Sequence, residues 1–135
     1  MASPTARTLE LLRAQGWVCD PVERRNSYIA RDYLGIIDII ALKQGVVLGV
    51  QATTDHDAPR RIEKATGERA ELLKRWLEEG GQFAVWGWTE KQERMVGSKR
   101  TKTVGVLRIR EVRLVAGKLV ADEIERKKPE RKLFR

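Results

Sequence analysis

Apolar positions along the chain change their spacing several times, and each change marks a predicted element. Between Thr5 and Gln15, residues Ala6, Leu9 and Leu12 recur as one helical stripe; Pro4 and Thr5 suit its start and Gly16 its end. Trp17 to Glu23 alternates as a strand, and Pro21 confines it to an edge. Arg24 to Leu34 reads as a polar connection. Gly35 to Leu42 reads as a strand covered on both faces, because β-branched residues fall on both, and Val46 to Thr54 as a second of the same kind. Asp55 to Gly81 is helical. Asp57 suits its N-cap and Pro59 its first turn, Thr66-Gly67 is a point of division, Leu72, Leu73, Trp76 and Leu77 form its stripe, and Gly80-Gly81 stops it. Gln82 to Trp88 and Thr103 to Leu114 are further strands, with Lys91 to Lys102 between them as an exposed basic loop. Gly117-Lys118 turns a last short hairpin, and the charge-dominated Asp122 to Arg135 reads as a frayed helix or tail.

This order, α, β, β, β, α, β and then further strand material, predicts an α/β single domain with helices packed on a mixed sheet. The expected division is a domain over residues 1–120 and a charged tail over 121–135. Only Lys43-Gln44-Gly45 separates two strongly β segments, which is too short for a crossover helix and demands an antiparallel hairpin. With a two-residue turn at Gln44-Gly45, Lys43 faces Val46 and Asp38 falls across from Gln51; a three-residue turn would shift the pairing by one.

Asp38 stands inside Ile36-Ile37-Asp38-Ile39-Ile40. Desolvating an unpaired carboxylate costs several kcal/mol, so Asp38 must pair with a cation such as Arg25 or Arg60, bind a metal, or open onto a cleft. In the two-residue register its neighbour Gln51 lies on the same face at a Cβ separation of about 5 Å. Thr53 follows on that face. A carboxylate, an amide and a hydroxyl thus converge on one patch of an apolar hairpin.

The α-β-β-β-α-β order, the Gly35-Ile36-Ile37-Asp38 stretch and Val50-Gln51-Ala52-Thr53 resemble the PD-(D/E)XK, or restriction-endonuclease-like, superfamily, and within it the small phage resolvase-like and VRR-NUC-like nucleases, over about Thr5 to Trp88. The resemblance implies a restriction-endonuclease-like core with a C-terminal strand extension. It also implies an Asp at position 38 and an acid at the Gln51 place that hold Mg²⁺ or Mn²⁺, with a lysine at the Thr53 place that positions or activates the attacking water. A first-helix Glu sometimes joins the metal; Glu10 is that candidate. Gln51 keeps an oxygen for a hard cation without the charge, and Thr53 supplies no cation. Lys64, on the following helix, is the expected substitute for the motif lysine, ahead of Lys43 at the turn. His56, between Asp55 and Asp57, is either a general base or metal ligand at the mouth of the cleft or an exposed turn histidine.

Charge sharpens the choice of partner. With 27 Lys+Arg against 19 Asp+Glu the formal net charge is +8, which favours a polyanion. Arg24, Arg25 and Arg31, then Arg60, Arg61 and Lys64, then the stretch with Lys99, Arg100 and Lys102 are candidate phosphate contacts. Trp86 and Trp88 share a strand face; packing against a helix, with Trp76 as partner, is the expected use, and base stacking the other. One cysteine, Cys19, excludes an internal disulfide and a structural cysteine zinc site. No apolar run approaches the roughly 18 residues of a membrane span, and Met1 to Thr5 lacks the regions of a secretory signal, so the cytoplasm (a host's, for a phage protein) is the expected compartment. A single Asn and 34% charged residues lean toward a thermophile. Two functions follow. One is a metal-dependent endonuclease acting on structured DNA, as Holliday junction resolvases do. The other is a catalytically inactive nuclease fold that binds nucleic acid or regulates a host nucleic-acid enzyme through a protein contact. Resolvase-like proteins are often dimers, so a homodimer is among the expected partners.

Overall fold

The computed structural model describes residues 2–22, 24–25 and 30–127. They form one α/β domain: a six-stranded mixed sheet with a helix on one face and two on the other. The elements are α1 (Pro4–Ala14), β1 (Val18–Pro21), β2 (Arg24–Arg25), β3 (Ala30–Arg31), β4 (Ile39–Lys43), β5 (Val46–Thr54), α2 (Ala58–Thr66), α3 (Ala70–Glu78), β6 (Gly81–Arg94), β7 (Thr101–Val115) and β8 (Lys118–Lys127). The sheet runs β1-β4-β5-β6-β7-β8, and β2 and β3 pair separately. Among the described strands only β5 and β6 pair in parallel, because α2 and α3 carry the chain back across the sheet between them.

The β4–β5 hairpin has the expected two-residue turn. Gln44 and Gly45 both take positive φ, 47° and 82°, the backbone that matches the twist of a tight hairpin, and Lys43 pairs with Val46. Alternation then sorts the side chains. Ile39, Ala41, Val50, Ala52, Trp86 and Trp88 pack with Leu11 and Leu12 of α1. Val85, Phe83 and Val112 pack with Ala58 and Ala65 of α2 and Leu73 of α3.

Several expectations are corrected. The strand read from Gly35 begins only at Ile39. Leu34 and Gly35 both take positive φ, and the chain turns at 34–36, with Tyr33 and Ile37 bridging; Ile36 and Ile37 are buried as a tight turn against α2 and α3, not as strand. The polar connection contains the β2–β3 ladder. The basic loop is mostly strand: β6 continues to Arg94 and β7 resumes at Thr101, leaving only residues 95–100 as a turn. Asp122 is no tail, because β8 carries the sheet to Lys127, across the expected boundary at 120; the remainder of that segment lies outside the described residues. Trp76 is not the partner of Trp86 and Trp88. It lies on the opposite sheet face, edge-on to Tyr33 at 6.2 Å, and its indole N–H donates to the Gln82 carbonyl at 2.8 Å. Trp88 instead donates to Thr8 Oγ1 on α1 at 2.9 Å. Thr66-Gly67 does separate α2 from α3. Asp57 stands at the α2 N-cap without a side-chain capping bond, because its carboxylate is turned to Arg60 and Arg61. No helix among the described residues is long and apolar enough to cross a membrane.

Candidate active site

A cleft of about 800 Å³ opens where β4 stops and β5 runs on past it. Asp38 sits immediately before β4, and its own N–H donates to the Val50 carbonyl at 3.0 Å, which holds the expected pairing one step beyond the ladder. Asp38 is 5% exposed. Beyond Ile39 no strand among the described residues meets this edge of β5, and the carboxylate takes that place, accepting the Ala52 N–H at 3.1 and 3.2 Å. Gln51 Nε2 donates to Asp38 Oδ2 at 3.0 Å. The register argument is therefore met: Asp38 and Gln51 meet on one face.

The same Gln51 nitrogen donates to Asp32 Oδ2 at 3.1 Å, so two carboxylates converge on one amide. Asp32 was not among the expected site residues. It reaches Asp38 because the chain doubles back between them. Tyr33 and Ile37 exchange backbone hydrogen bonds at 2.7 and 2.9 Å, and the Gly35 N–H donates to the Asp32 carbonyl at 3.0 Å. Carrying the Tyr33–Ile37 pairing one residue outward sets Asp32 across from Asp38. The Asp32-x-x-Gly35 spacing is a turn signature that could have revealed this.

Cations from three elements surround the acids: Arg31 from β3, Arg61 and Lys64 from α2, and Arg69 just before α3. Arg69 was also unforeseen. Its guanidinium lies over Gly35, where a Cβ would come within 2.8 Å of Nε, so the close approach needs glycine there as well as the positive φ. Arg69 Nε is buried and ion-paired with Glu68 at 3.9 Å, too far for a hydrogen bond. Arg61 is shared with Asp57, at 3.1 Å. Slight desolvation alone would raise the Asp57 carboxyl, but Arg60 and Arg61 beside it hold it below its ordinary value.

The remaining candidates fall elsewhere. Thr53 is buried and does not line the cleft. Glu10 is exposed on α1, whose only residue at the cleft is Thr5. His56 is exposed and lines a separate pocket of about 320 Å³ with Arg7, Thr54 and Trp88. Arg60 pairs with Asp57 at 2.8 Å, outside the cleft. Lys43 donates to the Gln15 carbonyl, at the far end of the hairpin. Lys99, Arg100 and Lys102 belong to the β6–β7 hairpin, away from the acids. The side chains of Arg24 and Arg25 lie outside the described residues.

α2 is pinned to the sheet by a second acid cluster. Asp55, between β5 and α2, accepts from Arg108 at 2.9 Å and Arg110 at 2.8 Å. Partial burial alone would raise its carboxyl; the hydrogen bonds and charges of Arg110 and Arg108 outweigh that and hold it low. Arg108 also grips Glu123 of β8 through two bonds, at 3.0 and 3.1 Å. This network positions the helix that carries Arg61 and Lys64.

Compared with protein-family models, curated proteins and solved structures, the chain matches none.

Proposed function

We propose that this protein is a metal-dependent phosphodiesterase with a restriction-endonuclease-like core, cutting DNA. The observation that carries the reading is the convergence of Asp32 and Asp38 on Gln51 inside a cleft rimmed by Arg31, Arg61, Lys64 and Arg69. The element order α1, β1, β4, β5, α2–α3, β6 supports it, with strands β1, β4, β5 and β6 adjacent in that order.

The donors suit a hard cation. Mg²⁺ is commonly held by one or two carboxylates together with substrate phosphate, and this cleft offers two carboxylates and an amide. Asp32 and Asp38 would hold it, and the Gln51 amide, turned end for end, would add its oxygen. When bound, the ion polarises the phosphoryl group and lowers the pKa of water. The protein's own part is electrostatic and positional. Arg31, Arg61 and Arg69 draw the phosphate toward the acids through their charge. Lys64, on α2, replaces the motif lysine and orients the attacking water. Thr53 has no part in the chemistry.

A second reading rests on one specific feature. Gln51 Nε2 donates to both carboxylates, so the protein itself holds the two acids together, an arrangement that also suits an inactive nucleic-acid-binding or regulatory module. Cleavage of linear, nicked, flapped and four-way DNA with Mg²⁺ or Mn²⁺ decides between them. The enzyme reading expects cutting that Asp32→Asn and Asp38→Asn each abolish in folded protein and Lys64→Ala slows. Wild type that cuts none of these substrates with either metal, or cutting that survives Asp38→Asn, rejects it.

A further inference from the structure

The β6–β7 hairpin outgrows the sheet. Among the described residues, β5 accompanies β6 as far as the Thr54–Trp88 pair, and β8 accompanies β7 from Leu107 onward. Beyond those rows, Thr89–Arg94 and Thr101–Val106 pair with each other alone among the described residues. At about 3.4 Å per residue this two-stranded ribbon reaches roughly 20 Å past the sheet. It leaves from the end at which β5 finishes, the end that also holds the cleft.

A bare ribbon is a poor structure on its own merits. Two strands without a third are marginal in water, and among the described residues neither outer edge is paired beyond those rows. Its surface is specific in kind. Lys91, Arg94, Lys99 and Arg100 are exposed and Lys102 half-exposed, while Glu90 is tied to Arg7 at 3.3 Å. Strand alternation sets Lys91 and Lys102 on one face, with Glu93 directly across from Lys102, and Arg94 on the other, so each face presents basic side chains. The tip is apolar. Val96 is 104% exposed and Met95 41%, although the turn beneath them is closed by the Met95 N–H to the Arg100 carbonyl at 2.9 Å and the Ser98 N–H to the Met95 carbonyl at 3.1 Å. Solvation alone gives no reason to hold two apolar side chains at the end of a charged arm.

We infer that this ribbon is an arm that enters a groove of duplex DNA, with its basic side chains on the phosphates and Met95 and Val96 against the bases. The inference rests on the nucleic-acid reading of the cleft and names the form of substrate: a B-form duplex gripped beside the scissile site. The B-DNA major groove, about 12 Å wide, admits a two-stranded ribbon, and apolar wedges that press on base steps unstack them and kink the helix. The major groove of duplex RNA is too narrow for side chains to read, so the arm discriminates against it.

The test measures binding without cleavage. Anisotropy of a fluorescein-labelled DNA duplex in EDTA is followed against salt for the full chain, for Lys99→Glu/Arg100→Glu and for Met95→Ser/Val96→Ser. All four positions are solvent-exposed, so the sheet is left intact, and a thermal melt checks this. The charge variant is expected to bind at least tenfold more weakly, with a salt slope shallower by about 2, as loss of two phosphate contacts requires. The tip variant is expected to keep the slope but lose the fluorescence rise of a 2-aminopurine placed in the duplex. Equal competition by an RNA duplex, no binding of duplex DNA at low salt, or a charge variant that binds like wild type would each overturn the arm. Cleavage run in parallel separates the two proposals. Arm variants that bind and cut like wild type sink the arm and leave the cleft standing; arm-dependent binding by a wild type that cuts nothing does the reverse.

Discussion

Replacing Asp38 by Asn should destabilise the domain even though it removes a buried charge. The carboxylate accepts the Ala52 N–H at 3.1 and 3.2 Å and Gln51 Nε2 at 3.0 Å. An amide has one acceptor end. If its oxygen keeps the Ala52 N–H, its NH₂ faces the NH₂ of Gln51. Gln51 cannot turn its own amide to relieve this, because its oxygen would then face the Asp32 carboxylate, to which Nε2 now donates at 3.1 Å. One charge-assisted hydrogen bond is lost and a buried donor is left against a donor, together about 2 kcal/mol. For a chain of this length that lowers Tm by about 6–8 °C. Urea unfolding followed by tryptophan fluorescence measures it, read as a lower midpoint at unchanged slope. The double change Asp32→Asn/Asp38→Asn supplies a sharper check. With two amides present, Gln51 can turn and offer its oxygen to both, so the double variant should be more stable than Asp38→Asn alone, with a coupling of about 1 kcal/mol or more. An Asp38→Asn protein as stable as wild type, or a double variant that merely adds the two losses, would refute this account of the site.

Thr8→Val should cost about 1–3 kcal/mol in the same assay, because it strips the buried Trp88 indole N–H of its acceptor; an unchanged midpoint would mean the bond is dispensable. Asp55→Ala should flatten the acid limb of stability. The Asp55 carboxyl is depressed in the fold, so its contribution is whole above the unfolded value of about 4 and is lost as pH falls through the lower folded value. Melts between neutral and strongly acid pH should therefore show wild type more stable at neutrality and the gap closing in acid. Parallel curves would count against the role of the Arg108–Arg110 grip.

The β4–β5 hairpin was legible from residues alone, because its information is local. A two-residue turn with glycine at its second position admits one register, and side-chain alternation then forces Asp38 and Gln51 onto one face. The break at Gly67 and the strands at Val46–Thr54 and Trp88 were local in the same sense. Asp32 was not legible, because Gly35-Ile36-Ile37 carries β-branched residues that suit a strand, while the fold buries them as a turn against α2 and α3. Apolar pattern reports that residues are covered, not what backbone they adopt while covered. Arg69 was hidden for a related reason: its place depends on where α3 lies over the Gly35 turn, a contact between segments far apart in the chain. The basic stretch from Lys91 to Lys102 was recognised as exposed and charged, but a polar sequence does not distinguish a loop from a solvated ribbon, and only the pairing partner on β7 decides it. The sequence by itself determined the α/β class and the hairpin, and it paired the central acid with its amide on condition of a two-residue turn, which the structure has. The tertiary structure decided which second acid and which cations stand around them, because those side chains come from elements whose meeting is set by packing across the sheet rather than by spacing along the chain.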